Sequence, residues 1–304
     1  MKFISNEDMK QLNLSPSVCM EWVLKAMTIL ENDSSSQMAS VYPQKGDSIC
    51  VNHSLLPSPF YRYGVNIMRN ISNSVSSVKS EIALYESQNG QLLSVMEGDW
   101  INIMHIGAIA ALVFQKLRRN ENAKIAFLSL DNKSRALLLC LLESEPNIKH
   151  QVFVAQNDYT CSFIDRFQTY SNVSFSIASV GALVIQADFL ISSEIKSSVI
   201  DLLRDRTFSG KCMMLLSDEN LMNNDTSYFD KVCTTQSSAK NNFFSIRDLL
   251  VDSSVVKVDI EDSILCQIQT ISILDVYFAN KIFEKVDSPT CEIEISRENI
   301  KHWV

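Results

Sequence analysis

Residues 124–155 read KIAFLSLDNKSRALLLCLLESEPNIKHQVFVA. The stretch contains an apolar run at Lys124 to Leu130, a helical pattern at Ser134 to Glu145 and a second apolar run at Gln151 to Ala155. Two strands joined by a helix form a βαβ unit, in which the strands are parallel because the helix carries the chain back. The stretch therefore predicts an α/β fold with a parallel sheet.

The same alternation continues on the C-terminal side of this stretch. We predict a helix at Thr160 to Tyr170, strands at Val173 to Ile177 and Asp188 to Ile191, a helix at Ile195 to Leu203 and a strand at Lys211 to Leu216. Strands and helices in this order are typical of a parallel sheet with helices on both faces.

The two ends of the chain carry a different pattern. Ile82 to Tyr85 and Leu92 to Met96 flank Gln88-Asn89-Gly90, which is typical of a β-hairpin. A helix is expected from about Ile101 to Arg119, and residues 259–283 read as one long apolar helix.

Composition narrows the function classes. The chain has 304 residues, 46% of them hydrophobic and 20% charged, which is enough apolar material for a sizeable core. The formal net charge is −8, and no dense Lys/Arg stretch follows the pattern of a phosphate-binding surface. Nucleic acid is therefore not an expected partner.

Location and redox state are predicted from what the sequence carries at its start and at its cysteines. Residues 1–8 lack a basic segment followed by an apolar run, and the apolar stretches Ile106 to Phe114 and Ala136 to Leu142 are shorter than the ~18 residues of a membrane span. The eight cysteines are scattered singly, without metal-ligand spacing. We expect a cytoplasmic protein with reduced thiols, no membrane partner and no metal.

Residues 89–101, NGQLLSVMEGDWI, resemble the hairpin and following helix of the ornithine cyclodeaminase and mu-crystallin family. Phe3 to Asp8, Tyr63 to Asn66 and Leu274 to Ala279 fall in the family's order. Residues 151–154 and 163–167 are most similar to the branch that makes the precursor of 2,3-diaminopropionate for siderophores and peptide antibiotics.

The resemblance implies a two-domain architecture. A substrate and dimerisation domain of α/β type would be formed by residues 1–118 with 262–304, and a Rossmann-like domain for NAD(P) by residues 119–261. In the family, hydride passes to or from an amino-acid carbon next to nitrogen. The implied partners are a second copy of the chain or, in a heterodimer, an active relative or biosynthetic protein.

The cofactor turn departs from the family. The glycine-rich turn is replaced by Ser129-Leu130-Asp131-Asn132-Lys133-Ser134. The whole chain of 304 residues has only seven glycines, which is about a third of the usual glycine frequency of ~7%. Glycines there let the backbone approach the pyrophosphate, so ordinary dinucleotide binding is not expected. Asn132, Lys133 and Ser134 could still hold an anion at the helix start, although a solvated helix cap is the favoured interpretation. Gln156 stands near the family's ribose-binding acid.

The substrate site departs as well. Asn66 occupies the position of a lysine that assists proton transfer, and His105 that of an arginine that clamps the substrate carboxylate. His105 could act as an acid or base in a changed mechanism, or be a satisfied, partly buried side chain. Lys45 and Asp218 stand near further catalytic positions. Asp275 matches a family aspartate, and we expect it to be structural.

The sequence supports three hypotheses for the function, of which one is favoured. Because several independent sites are lost together, we favour a pseudoenzyme that acts as a binding or scaffold subunit, with no cofactor. The alternative is an active NAD(P)-dependent amino-acid dehydrogenase or deaminase, such as a 2,3-diaminopropionate precursor synthase. A sensor of a nucleotide or phosphorylated ligand at residues 132–135 is the third.

Overall fold

The computed structural model describes residues 1–29, 37–41, 48–70, 78–194, 208–217, 226, 228–235, 242–252, 254, 256–287 and 291–292. The chain divides into two compact units. The terminal unit consists of Met1–Leu14, Ile29–Asn102 and Ser272–Val304, and the central unit of Ser15–Thr28 and Ile103–Ile271. Both contain a sheet, which confirms the predicted α/β class with one parallel-sheet domain and a second α/β domain built from both chain ends.

The two compact units divide the chain at other positions than the predicted domains do. The helix α3 (Asp99–Leu117) is divided between the units after Asn102, whereas the resemblance placed residues 1–118 in one domain. The helix α2 (Pro16–Ile29) lies almost wholly in the central unit. The division into domains at 118/119 and 261/262 stays a prediction.

The terminal unit is built on a seven-stranded mixed sheet of order β15-β1-β6-β5-β4-β3-β2. Its strands and helices are β1 (Lys2–Ile4), α1 (Asn6–Gln11), β2 (Gln37–Val41), β3 (Ser48–Leu56), β4 (Arg62–Asn70), β5 (Val78–Glu86), β6 (Leu92–Glu97), α8 (Ser272–Lys285) and β15 (Cys291–Glu292). The pair β1 and β6 is parallel and the others are antiparallel. The predicted hairpin is confirmed as β5 and β6, with Gly90 at φ +69° in the turn.

One face of this sheet lies close against α8. A β-carbon on Gly64 of β4 would lie 2.4 Å from a methyl group of Val276, so only glycine lets the strand approach the helix this closely. Side chains alternate between the two faces of a strand. Asn66 therefore points to the same side as Gly64, and Tyr63 and Val65 point to the other.

The central unit is built on an eight-stranded parallel sheet of order β13-β12-β14-β11-β10-β7-β8-β9. Its strands are β7 (Ile125–Phe127), β8 (His150–Ala155), β9 (Val173–Ala178), β10 (Phe189–Ser192), β11 (Cys212–Leu215), β12 (Lys231–Thr234), β13 (Phe243–Ser245) and β14 (Ile264–Gln267). Its further helices are α4 (Asn132–Ser144), α5 (Thr160–Asp165), α6 (Val180–Gln186) and α7 (Ile246–Val251). The run β9-β8-β7-β10-β11 has the strand order of a Rossmann fold.

The prediction of one long helix over residues 259–283 is wrong. Residues 264–267 form β14, a buried strand of the central sheet, and the helix α8 begins only at Ser272. A short apolar run satisfies the pattern of a buried strand and of a buried helix equally, so periodicity did not separate them. The predicted helix at Ile195 to Leu203 lies outside the described residues.

The core of the central unit includes a close contact between α3 and α4. A β-carbon on Gly107 would lie 2.5 Å from Cβ of Ala136 and 2.8 Å from the backbone nitrogen of Leu137. By length and composition alone, α3 could cross a membrane, yet 72% of its most apolar window is buried inside the protein. That burial is typical of a core helix.

Candidate functional site

The first candidate site lies where the strand order of the central sheet reverses. The strands β7 and β10 are neighbours, and the chain leaves them toward opposite sides of the sheet order. In open α/β sheets, ligands bind in the crevice outside the carboxyl ends of such strands. Here the crevice is bordered by residues 128–131 after β7 and 192–194 at the end of β10.

Serine side chains connect the two borders of this crevice. Ser129 Oγ lies 3.0 Å from Ser192 Oγ and accepts a hydrogen bond of 3.1 Å from the backbone N–H of Ser193. Ser192 Oγ also donates to the carbonyl of Glu194 at 2.5 Å. The Ser193 hydroxyl donates to the Asp131 carboxylate. The polar groups at the carboxyl ends of β7 and β10 are therefore engaged with each other.

Asp131 supplies a negative charge at the start of α4. It is the N-cap residue, and its Oδ1 accepts a hydrogen bond of 2.9 Å from the backbone N–H of Ser134. A helix N-terminus stabilises negative charge, which is why pyrophosphates bind there in Rossmann folds. In this chain a carboxylate of the protein occupies that role.

The structure places the four residues predicted near a cofactor as follows. Asn132 and Gln156 are exposed, and Lys133 Nζ donates to the carbonyl of Leu216 at 3.3 Å. Ser134 is fully buried, and its hydroxyl has no hydrogen-bond partner among the described residues. Their role in cofactor or anion binding stays a prediction.

The second candidate site is a buried polar cluster of the terminal unit. Asn66 of β4 and Asp275 of α8 are 1% and 0% exposed. Asn66 Nδ2 donates to Asp275 Oδ2 at 2.7 Å, and Asn66 Oδ1 accepts from Ser80 Oγ at 2.7 Å. Both ends of the amide are thus used, and an amide side chain does not titrate near neutral pH.

The remaining predicted site residues are placed less completely. His105 lies on α3 within the central unit and is 0% exposed. Lys45 and Asp218 lie outside the described residues. The structure thus brings Asn66 together with Asp275, and the catalytic roles of all four predicted residues stay predictions.

Sequence reasoning missed Ser192 and Ser193 at the end of β10, and Ser80 as a partner of Asn66. Ser192 and Ser193 follow the apolar run Phe189 to Ile191, and a serine pair directly after a buried strand is the signal that could have indicated them. Ser80 carries no such signal, because its contact with Asn66 depends on the register of β4 with β5.

A buried ionic cluster lies at the amino end of β8, whereas the crevice lies at the carboxyl ends of β7 and β10. The Arg118 guanidinium binds the Glu145 carboxylate through both nitrogens, at 2.6 Å each. His150 Nε2 lies 3.5 Å from Glu145 Oε2, and the His150 side chain is 1% exposed. Burial lowers the pKa of His150, with Glu145 opposing that shift and Arg118 adding to it.

The terminal unit also carries a cavity of about 310 Å³ on the sheet face that Tyr63 and Val65 occupy. It is lined by Leu55, Tyr63, Val65, Tyr85, Glu86, Ser87 and Gly90. The Tyr63 and Tyr85 rings lie 6.1 Å apart, and Glu86 is paired with Arg62 at 2.6 Å. The wall is therefore mostly apolar and aromatic.

Comparison with known proteins shows which solved structures share this fold. No family model matches the sequence, and no curated protein matches it either. Among the solved structures that are similar to this chain, three that each cover 93% of it illustrate the likeness. They are Δ1-pyrroline-2-carboxylate reductase of Thermococcus litoralis with NADH and L-proline (17% identity, TM-score 0.75, 97% of that chain), an archaeal alanine dehydrogenase dimer with NAD (14%, 0.72, 95%) and a probable ornithine cyclodeaminase of Bordetella pertussis (13%, 0.72, 96%).

At these identities the likeness shows the fold. The chain has the fold of these structures, which confirms the predicted fold class of a Rossmann-like parallel-sheet domain with a second α/β domain. Two of the three similar structures hold NAD or NADH.

Proposed function

We propose that the chain is a divergent member of the ornithine cyclodeaminase and mu-crystallin family that does not bind a dinucleotide. It acts as a non-catalytic binding or scaffold subunit in the cytoplasmic metabolism of amino-acid-derived products, such as siderophores or peptide natural products. The observation that carries the proposal is the Asp131 carboxylate at the N-terminus of α4, hydrogen-bonded to the backbone N–H of Ser134.

NAD(P) fits this crevice poorly. Ser129 and Asp131 have side chains where a dinucleotide requires bare backbone, and Asp131 places a charge of the same sign as the pyrophosphate at the helix start. A phosphate bound there would displace the hydrogen bonds of Asp131 and would leave Ser129 and Ser192 to find new partners. Both costs oppose binding.

The terminal unit supports the same proposal. Asn66 cannot take up or release a proton near neutral pH, and its amide is already bonded to Asp275 and Ser80. Asp275 is a buried carboxylate, but without a neighbouring lysine at residue 66 the family's proton transfer has no route through that position. The cluster is therefore better explained as a structural network.

The second candidate function is an active NAD(P)-dependent amino-acid dehydrogenase, such as a 2,3-diaminopropionate precursor synthase. The likeness over 93% of the chain to structures holding NAD or NADH favours it. His105, Asp218 and Lys45 would then act in altered roles, with Asn132, Lys133, Ser134 and Gln156 at the cofactor.

We propose a homodimer as the assembly, with a heterodimer as the second possibility. The similar alanine dehydrogenase is a dimer. Leu55, Val65 and Tyr85 form part of an apolar sheet face around the cavity of about 310 Å³, and a second copy would cover that face.

The test is titration of the purified protein with NADH and NADPH to millimolar concentration, following nucleotide fluorescence and melting temperature. An NAD-binding enzyme of the same fold serves as the positive control. A ligand that binds the folded state raises its melting temperature. Because we propose that the chain does not bind a dinucleotide, we expect neither a saturable fluorescence change nor a rise in melting temperature. Saturable micromolar binding would overturn the proposal and support the dehydrogenase.

A further inference from the structure

The outermost strand on one side of the central sheet is β9, with the sequence VSFSIA. Among the described residues it pairs with β8 alone. Ser174 and Ser176 are exposed, and Ile177 is 54% exposed although it is apolar. A strand with an open side presents unpaired N–H and C=O groups to solvent, where another strand can add.

The pairing with β8 determines which backbone groups face outward. The N–H of His150 donates to the carbonyl of Asn172 at 2.9 Å, so the backbone of residue 172 faces β8. Backbone groups alternate in direction along a strand. The backbone groups of Ser174 and Ser176 therefore also face β8, and those of Val173, Phe175 and Ile177 face away from the sheet.

Nothing in β9 prevents a further strand from adding. Proteins usually protect such strands with charged side chains, proline or a bulge. The six residues of β9 include no charged residue and no proline, and the register with β8 runs without a bulge. The open side of the strand is thus competent to pair.

The sequence of the strand fits itself. Val173-Ser174-Phe175-Ser176-Ile177 reads as apolar, serine, aromatic, serine, apolar in either direction. In an antiparallel pair of two such strands centred on Phe175, valine lies opposite isoleucine, serine opposite serine and phenylalanine opposite phenylalanine. Like charges directly opposite each other would destabilise such a pair, and this strand has none.

We propose that two copies of the chain associate through their β9 strands, antiparallel, with the two-fold axis at Phe175. Residues 173, 175 and 177 of one copy then lie opposite 177, 175 and 173 of the other and exchange backbone hydrogen bonds, because their groups face outward. Ser174 lies opposite Ser176 of the second copy in the closer, non-hydrogen-bonded pairs. The result is a sheet that continues through both molecules.

Apolar packing supports the strand pair on one face. The Phe175 ring lies 6.4 Å from the rings of Phe163 and Phe167. In the proposed pair, the aromatic layers of the two copies meet at Phe175, and Ile177 is covered by Val173 of the second copy. One strand pair buries little surface, so the association is weak and depends on protein concentration.

The test uses charges at the exposed serines, measured by sedimentation velocity over a series of protein concentrations. Ser174→Lys/Ser176→Lys and Ser174→Glu/Ser176→Glu place like charges opposite each other and abolish the doubling in mass shown by the wild type. Ser174→Lys/Ser176→Glu keeps it, because lysine 174 of one copy then faces glutamate 176 of the other. An equimolar mixture of the first two variants also regains it.

The charge pattern is specific to this register. In a parallel in-register pair, or in an antiparallel pair centred on residue 174 or 176, the lysine and glutamate variant would face like charges and fail to associate. If a dimer also forms through the terminal unit, that dimer carries two β9 strands, and pairing raises the mass by at least one doubling above the smallest species. The proposal is overturned if the wild type shows no doubling, if the like-charge variants retain it, or if the mixed-charge variant loses it.

Discussion

Replacing Arg118 with methionine tests the buried ionic cluster of the central unit. Methionine keeps an apolar side chain beside the Phe114 ring, which lies 5.8 Å from the Arg118 guanidinium, but removes both hydrogen bonds to Glu145. The Glu145 side chain is only 9% exposed, so its carboxylate would lose its charge partner without gaining full hydration. We expect the variant to fold with reduced stability.

The magnitude follows from burial. Breaking a fully buried ion pair by removing one partner costs about 3–5 kcal/mol, and exposed pairs contribute about 0–1 kcal/mol. Arg118 and Glu145 are 17% and 9% exposed, close to the buried limit but with some access of water. We therefore expect a loss of roughly 2–3 kcal/mol at pH 8.

The loss should be smaller at pH 6. In the wild type the folded pKa of His150 lies below the ordinary value, so the unfolded chain takes up this proton first as the pH falls. That contribution to stability is complete above about pH 7 and decreases as the pH falls through ~6.5 toward the folded pKa. Without Arg118, His150 is protonated at higher pH and pairs with Glu145, which offsets part of the lost interaction.

The assay is urea unfolding followed by circular dichroism at pH 6 and pH 8, for the wild type and the variant. Arg166→Met is the matched control, because Arg166 is exposed and its replacement should change stability by less than ~0.5 kcal/mol. A loss below ~1 kcal/mol at pH 8, or an equal loss at both pH values, would refute the reasoning.

Three further predictions use the same measurement of unfolding free energy. Gly107→Ala should lower the free energy of unfolding by about 1–3 kcal/mol, because the added methyl group would meet the backbone of α4. Gly181→Ala, where the added methyl group has open space, should raise it by up to ~1 kcal/mol. Equal effects would contradict the close contact at Gly107. Asp131→Ala should lose about 1 kcal/mol through loss of the helix cap, and Asp131→Asn, which can still cap, should lose much less; a reversed order would contradict the capping role. Asn66→Leu should lower the free energy of unfolding by about 2–3 kcal/mol, because Asp275 and Ser80 both lose a buried partner. Adding Ser80→Ala to this variant should lower it by less than Ser80→Ala does in the wild type. Additive losses would show that the three side chains do not form one network.

Much of the fold was accessible from local pattern. The runs that became β7, α4 and β8 are apolar or helical over their own length, and each neighbour in chain order is also a neighbour in space. The prediction of a single helix over residues 259–283 was wrong because the apolar pattern continues from β14 into α8, although the chain passes there from the central unit to the terminal unit. Burial on all sides removes the periodicity that would separate a strand from a helix.

The candidate sites were predictable only in part. The loss of glycine after β7 is visible in Ser129 and Asp131 themselves, and the preference of aspartate for helix N-termini indicates the cap. The bond from Ser129 to Ser192 depends on β7 and β10 being neighbours, which joins residues 63 positions apart in the sequence. Likewise the full burial of His105 follows from packing that its own neighbours in sequence do not specify.

The Asp131 cap has a consequence for how much of this protein a cell keeps folded. An enzyme that binds a nicotinamide cofactor gains stability by mass action, so its folded fraction and its rate of degradation respond to the concentration of that metabolite. On the proposal that the chain binds no dinucleotide, the hydrogen bond from Ser134 to Asp131 at the start of α4 is made within the chain and is present at any metabolite concentration. The abundance of this protein should then stay constant when starvation or respiratory block depletes the cellular nicotinamide pool, while enzymes of the same fold that depend on the cofactor become more susceptible to proteolysis.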